Sequence, residues 1–120
     1  MTNEGSNTVT VINGFTNSVI TNIPVGLLPR GVTVNPITNR IYVANFGSNT
    51  VSVIDGATNT VVASSGVGSA PTGVAVNPFT NAIYVANNVS NSVSVINGIT
   101  NTVVATVGVG IQPRGVAVNP

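Results

Sequence analysis

Histidine, cysteine, tryptophan and lysine are absent from this chain of 120 residues, and charged side chains make up only 4% of it. An average soluble domain is about 25% charged. Without an imidazole or a thiol, the chain lacks the usual catalytic bases and zinc ligands. Its two acids, Glu4 and Asp55, occupy different positions of a repeat, which does not favour a paired-carboxylate site. The sequence therefore predicts no catalytic residue, no metal site and no cofactor.

Positive charge is also scarce, because three arginines are the only basic side chains. A nucleic-acid-binding protein needs a basic face that displaces counterions from phosphates. Asn, Gly, Ser or Thr interrupts every apolar run, so none reaches the roughly 20 residues of a membrane-spanning helix. The sequence therefore predicts neither nucleic-acid binding nor membrane insertion. Residues 1–5 also lack the basic and apolar segments of a secretory signal peptide.

One 42-residue repeat accounts for the whole chain and is seen just under three times. Residues 29–70 and 71–112 align without a gap and are identical at about two thirds of their positions. The same step extends in both directions to the ends of the chain. The predicted division is a partial blade at 1–28, full blades at 29–70 and 71–112, and the first strand of a further blade at 113–120.

Each unit contains four short runs rich in Val, Ile, Thr and Tyr, which are typical of strands. Gly, Asn, Ser or Pro bounds each run, and no segment has helical apolar spacing. Asn97-Gly98 favours a hairpin between the third and fourth strands, because both residues tolerate the positive φ of a tight turn. In the unit 71–112 the predicted strands are 73–76, 82–86, 92–96 and 102–107.

Four antiparallel strands in about 42 residues are typical of one β-propeller blade. Both faces of the predicted third strand are small and uncharged, with Val93 and Val95 on one face and Ser94 and Ile96 on the other. Such strands suit sheets that pack face to face around an axis. The sequence therefore predicts an all-β fold with about three four-stranded antiparallel blades.

Two segments of the repeat resemble a known signature. Residues 42–45 and 84–87 both read Tyr-Val-Ala-Asn, after Asn-Pro-x-Thr-Asn and before Ser-Asn-(Thr/Ser)-Val-Ser-Val-Ile. The chain therefore resembles YVTN-family β-propeller repeat proteins along essentially its whole length, with Ala44 and Ala86 in place of threonine. This resemblance implies a scaffold or binding surface in an extracellular or cell-surface protein, similar to archaeal and bacterial surface-layer components.

Closure of a ring needs about four to eight blades, more than one chain supplies. Alone, the terminal blades would expose apolar flanks and unpaired edges. Two chains would give about six blades, so a head-to-tail homodimer is the predicted assembly. Its seam blade would join 115–118 of one chain to 8–12 and 18–23 of the other, without six residues equivalent to 79–84. An incomplete seam blade, a longer array and an open filament are the alternatives.

Arg30, Thr72 and Arg114 share one repeat position, directly before the glycine that opens the innermost strand. In a closed ring, this position recurs near one mouth of the central channel. Guanidinium groups there would hold an anion or the carboxylate of a partner. The alternative interpretation is an exposed, solubilising side chain at the start of a strand.

Other repeated polar residues have structural interpretations. Arg40 aligns with Ala82 and is interpreted as a solvated strand end. Tyr42 and Tyr84 are interpreted as packing residues between blades, with locally bonded hydroxyl groups. The Asn-rich loops, such as Asn77-Pro78, are expected to bond their own backbone, and a polar, sugar-binding rim is the alternative.

Three functions compete. The favoured one is a non-catalytic scaffold at the cell surface, completed by self-association and open to another surface protein or a glycan as partner. The second is a binding module for a small anion or glycan at the channel or rim. The third is a self-assembling extracellular filament, since the segment 102–109 suits edge-to-edge pairing. Recurring prolines oppose long cross-β ladders, and an enzyme comes last.

Overall fold

A computed structural model describes residues 1–119 of the chain as eleven β-strands in three antiparallel sheets, and these residues form no helix. Pro120, part of the predicted strand 113–120, lies outside the described residues. We call the sheets blade 1 (β1–β3), blade 2 (β4–β7) and blade 3 (β8–β11). The strands are β1 (Thr2–Asn3), β2 (Thr8–Asn13), β3 (Ser18–Pro24), β4 (Pro29–Asn35), β5 (Arg40–Asn45), β6 (Thr50–Asp55), β7 (Thr60–Gly66), β8 (Pro71–Asn77), β9 (Ala82–Asn87), β10 (Ser92–Asn97) and β11 (Thr102–Gly108).

Within each blade, every strand pairs with the next strand along the chain, so blades 2 and 3 are four-stranded meanders. The four predicted strands per unit are therefore confirmed. The innermost strand is longer than predicted, because β8 already begins at Pro71. Its pairing with β9 shifts register between Pro71 and Gly73, and this bulge lets the ladder continue past the expected turn.

Each hairpin turn ends on an asparagine with positive φ. The glycine of the Asn-Gly or Asp-Gly pair that opens some of these turns does not have a positive φ. Between β10 and β11, the backbone N–H of Asn101 donates to the carbonyl of Asn97 at 2.7 Å, and the φ of Asn101 is 56°. The Asn97 side chain accepts from the N–H of Ile99 at 2.8 Å. The predicted hairpin at Asn97-Gly98 is therefore confirmed, and the positive φ that closes it is adopted by Asn101.

The cores of the protein lie between blades and not within them. Between blades 2 and 3, Tyr42, Val51 and Val53 pack against Val74 and Ile83, among other residues. A second core lies between blades 1 and 2, where the buried residues are Val9, Ile23, Val43 and Ile54. Blade 2 therefore packs against a neighbouring blade on each of its two faces.

The innermost strands approach each other closely at the glycine of the repeat. A Cβ on Gly31 would lie 2.5 Å from the carbonyl oxygen of Thr72 and 3.3 Å from the Cα of Gly73. Gly73 packs in the same way against the backbone of Arg114 and Gly115. Residues 113–119 thus lie beside β8 as β8 lies beside β4, but they make no strand pairing. The segment 115–118 stays a predicted strand of a further blade, because none of the described residues supplies a second strand for it to pair with.

Candidate functional site

Arg30 lies at the start of the innermost strand of blade 2, as its repeat position requires. Its guanidinium carbon is 3.7 Å from the centroid of the Phe46 ring in the same blade. Its Nη2 also donates to Oε1 of Glu4, in the β1–β2 turn of blade 1, at 3.2 Å. Both charged side chains are 40–48% exposed, so the pair contributes little to stability but fixes the orientation of Arg30.

Thr72 and Arg114 occupy the same repeat position as Arg30. Thr72 lies on β8 and Arg114 lies in the segment 113–119 beside it. The Thr72 hydroxyl donates to the carbonyl of Arg114 at 2.9 Å, which ties β8 to the segment 113–119. Arg114 itself is exposed and makes no ion pair among the described residues. The three predicted channel-mouth residues therefore lie in one row across neighbouring units. Their role in binding an anion or partner stays a prediction.

Arg40 is a half-buried member of an ion pair. It stands directly opposite Asp55 in the β5–β6 ladder, and its Nη1 lies 3.4 Å from Oδ2 of that residue. The Nη1 atom is buried and makes no aligned hydrogen bond. Arg40 does begin a strand, as interpreted, but its side chain is only partly solvated because the cross-strand carboxylate of Asp55 holds it against the sheet.

Tyr42 is fully buried between blades 2 and 3, as predicted. Its hydroxyl has no hydrogen-bond partner among the described residues, so the expectation of a local bond is wrong for this residue. Burial raises the pKa of the Tyr42 hydroxyl, and the nearby positive charge of Arg40 partly offsets that effect. Tyr84, its equivalent in blade 3, is only partly buried because no described blade covers that face.

Sequence reasoning missed a buried polar row that uses the last residue of the Tyr-Val-Ala-Asn segment. The Asn45 amide is fully buried and donates to the hydroxyls of Thr50 and Ser52 at 3.1 and 2.9 Å. Asn87 makes the equivalent bonds to Ser92 and Ser94. The available signal was an asparagine at every repeat followed by alternating Ser or Thr five and seven residues later.

A second missed set of asparagines holds the connections between blades. Each lies in the turn before the third strand, and its side-chain oxygen accepts from a backbone N–H 21 residues ahead at 2.8–2.9 Å. Each donating N–H belongs to a residue with positive φ, so these bonds support an otherwise costly conformation. The pairs are Asn7 with Leu28, Asn49 with Ala70, and Asn91 with Gln112.

The outward faces of blades 1 and 3 differ from the covered faces of blade 2. Ile54 and Ile96 share one repeat position and are fully buried against the preceding blade. Ile12, at the same position in blade 1, is 48% exposed. On blade 3, Val107 is 52% exposed, whereas Ile23, at the same repeat position in blade 1, is 4% exposed against blade 2. The outward faces of blades 1 and 3 therefore expose side chains that are buried at the equivalent positions between blades.

Residues 1–119 were also compared with the requirements of a ligand pocket, a metal site and a membrane-spanning helix. This part of the chain encloses no pocket. Nor does it bring together three potential metal-ligating side chains of the His, Cys, Asp or Glu type. Within the same residues, no helix has the length and apolar character needed to cross a membrane. The two outward faces are thus the candidate functional surfaces of the described structure.

Several solved structures are similar to this fold. Hydrazine synthase from Kuenenia stuttgartiensis matches with a TM-score of 0.89 and 27% identity, over 94% of this chain and 33% of that one. Apo AztD from Citrobacter koseri matches with a TM-score of 0.78 and 18% identity, over 94% and 32% of the two chains. The dihydro-heme d1 dehydrogenase NirN, in complex with DHE, matches with a TM-score of 0.83 and 19% identity, over 99% and 27%. No family model and no curated protein matches the sequence.

This chain is a partial β-propeller. The similar structures have propeller-type folds, and their agreement with the three antiparallel sheets confirms the predicted fold class. The chain spans about a third of the length of these structures or less. Two of them are named as enzymes, and a shared fold does not carry function from one protein to another.

Proposed function

We propose that this chain is a non-catalytic scaffold whose blades join those of further copies to complete a β-propeller. The observation that carries the proposal is the contrast in burial between equivalent residues. Ile54 and Ile96 are fully buried by the preceding blade, whereas Ile12 is 48% exposed. The same side chain is therefore a core residue wherever a neighbouring blade covers it.

The apolar side chains exposed on the flanks favour association. Fully burying one Ile or Val side chain is worth about 1.5–3 kcal/mol. On the flank of blade 1, Ile12 and Val19 are exposed, and Val32 and Val34 of β4 lie uncovered beside them. On the flank of blade 3, Val107 and Val109 are exposed. Because stacked repeats stabilise each other through shared faces, a further blade on each flank would add to the stability of the chain.

The proposed lack of catalytic activity has support from the charged residues. Glu4 and Asp55, the only acids of the chain, are paired with Arg30 and Arg40 respectively. Each carboxylate is thus engaged in a structural ion pair at a different end of the sheets. Without histidine or cysteine, no other side chain offers an efficient base or nucleophile at neutral pH.

The placement at the cell surface and the YVTN relationship rest on the resemblance of residues 42–45 and 84–87. In this structure the asparagine of that segment is a buried donor, and the tyrosine of blade 2 fills the contact between blades. These roles are structural, so the segment supports a propeller scaffold.

Small-angle X-ray scattering of the purified chain tests this proposal. A single chain has a Cα radius of gyration of 13.4 Å and extents of 42 × 32 × 22 Å. We expect a larger, disc-like particle whose scattered mass corresponds to a small whole number of chains. A scattering profile of a rod-like particle whose length increases with concentration would indicate a filament and not a closed ring. A particle that stays the size of one chain at all concentrations would contradict the proposal.

A further inference from the structure

We infer that residues 113–119 of one copy dock on strand β4 of a second copy, with Gly115 against the Arg30–Gly31 peptide and Arg114 facing Glu4. This inference rests on the proposed self-association and names the residues that direct it. It follows from extending the observed contacts between blades by one further step of the repeat. The occupant of the blade 1 flank is thus a second copy of this chain.

The inner-strand glycines form a series whose last member has no partner. Gly31 packs on the backbone of Thr72 and Gly73, and Gly73 packs on that of Arg114 and Gly115. A Cβ on Gly115 would meet no atom within 4 Å. The next position in the series is Arg30 and Gly31 of a second copy.

In the second copy the Thr2 hydroxyl donates to the Arg30 carbonyl at 3.0 Å, but the surface of β4 that follows this position is uncovered. Val32 and Val34 of β4 are 42% and 50% exposed, whereas Val74, the β8 equivalent of Val32, is 9% exposed. Val74 is buried in the core that Tyr42 and Val51 of blade 2 help to form, and an inner strand beside β4 would give Val32 and Val34 a neighbouring blade in the same way. The segment 113–119 carries Val116 and Val118 at the repeat positions of Val32 and Val34.

A second glycine series ends at the same boundary. Gly26 and Gly68 lie in the connections between blades, and each packs against a buried asparagine amide, that of Asn45 or Asn87. Gly110 is the next member and has no atom within 4 Å of its Cβ position. One repeat further on, its neighbour is Asn3 of the second copy, whose amide already donates to Thr8 and Thr10. Both glycine series therefore point to the same docked arrangement.

The charges of the chain fit this arrangement. Arg30 stacks on Phe46, which shows that the side chain at this repeat position reaches the β5–β6 turn of its own blade. In the seam blade, Arg114 of one copy takes the place of Arg30, and Glu4 of the second copy takes that of Phe46. Glu4 would then lie between Arg114 of one copy and its own Arg30, 3.2 Å away.

Thr72 is the one residue at this repeat position that is not an arginine, and this difference is consistent with the same arrangement. In a ring of copies, the two repeat positions that flank Glu4 are those of Arg30 and Arg114. Position 72 is flanked instead by Phe46 and Asn88, which are uncharged. An arginine therefore occurs at both positions next to the carboxylate and is absent from the third.

The first test compares Gly115→Ala with Gly108→Ala. Neither added Cβ meets an atom within 4 Å in a single chain, so both variants should fold as the parent does. In the docked pair, the Cβ at 115 would press on the carbonyl of Arg30 in the second copy, as it would at 2.5 Å for Gly31 and Thr72. We expect Gly115→Ala to raise the dissociation constant by about 5- to 100-fold, and Gly108→Ala to leave it unchanged. Equal dissociation constants for the two variants would overturn the inference.

The second test uses the absence of cysteine from the natural sequence. Glu4→Cys and Arg114→Cys chains are prepared separately, mixed and treated with a short bismaleimide crosslinker. We expect a covalent dimer from this mixture and none from Glu4→Cys mixed with Arg40→Cys, because Arg40 begins β5 at the opposite end from the Glu4 turn.

The two tests separate this inference from the proposed function. If the parent chain associates but the 4–114 crosslink does not form, the docking arrangement is wrong and self-association stands. If the parent chain stays monomeric at every concentration, both are wrong. Formation of the crosslink together with weakening by Gly115→Ala supports both.

Discussion

The Cα of Gly73 lies 3.3 Å from the point that a Cβ on Gly31 would occupy. Adjacent inner strands are thus packed backbone against backbone at this repeat position. No side chain fits between them, which explains why glycine recurs every 42 residues. The contact sets how closely the blades approach near the axis.

Substitution at this contact should destabilise the fold. Gly31→Ala places a methyl group 2.5 Å from the carbonyl oxygen of Thr72, and backbone atoms cannot move away cheaply. We expect a loss of about 1–3 kcal/mol in the free energy of unfolding, measured by urea denaturation at one fixed protein concentration. Gly66→Ala, whose Cβ meets nothing within 4 Å, is the matched control. A Gly31→Ala midpoint equal to that of the control would contradict the packing described here.

Removal of the Tyr42 hydroxyl should not destabilise the protein at neutral pH. The group is buried and unpartnered, and a buried polar group without a partner costs about 1–3 kcal/mol. We therefore expect Tyr42→Phe to keep or raise the thermal midpoint, with the partly exposed Tyr84→Phe as control. A marked loss of stability in Tyr42→Phe would show that the hydroxyl has a bonding partner.

The same tyrosine should make stability depend on pH under alkaline conditions. Its pKa is raised in the folded state, so its protonated form is favoured by folding and its contribution is fully present below the unfolded pKa of about 10. That contribution is lost as pH rises from there through the folded pKa. Tyr42→Phe should therefore lose less stability than the parent above about pH 10 in urea titrations. Parallel pH profiles would contradict the raised pKa.

Asn45 should be a major contributor to blade stability. Its buried amide donates to Thr50 and Ser52, so Asn45→Ala removes two bonds and leaves a cavity. We expect a loss of about 2–4 kcal/mol in unfolding free energy. Asn22→Ala, at an exposed site where the side chain bonds only Thr10, should stay within about 0.5 kcal/mol of the parent. A similar small effect at both sites would mean that Asn45 is not a structural donor.

Ile12 should contribute to association and not to the fold of the single chain. Ile12→Thr keeps the β-branched shape but weakens the apolar flank of blade 1, so we expect about a tenfold higher dissociation constant in sedimentation experiments. Val104→Thr is the control, because valine or isoleucine at its repeat position is exposed in all three blades. If both variants associate as the parent does, the flank of blade 1 is not part of the interface.

The repeat made most of the fold predictable from sequence. Strand number, strand order and the all-β class follow from a 42-residue period with four β-branched runs. The turns were predicted less well, because Asn97-Gly98 tolerates positive φ without requiring it. The structure places that conformation four residues later, at Asn101, where the Asn97 side chain and carbonyl close the turn.

Contacts between strands and blades were harder to predict from the sequence. Arg40 and Asp55 are 15 residues apart, and only the register of β5 and β6 makes them neighbours. The burial of Asn45 was missed because asparagine is usually a turn residue, and its hydroxyl partners depend on the pairing of two strands. The channel-mouth role of Arg30 and Arg114 depends on ring closure, which no single chain specifies.

The solution mass of the parent chain tests the central claim most directly. Light scattering coupled to size-exclusion chromatography should give a uniform species at twice the 12.0 kDa of one chain, as expected for a closed ring of about six blades. A species at 12.0 kDa over the whole concentration range would contradict completion of the propeller by further copies.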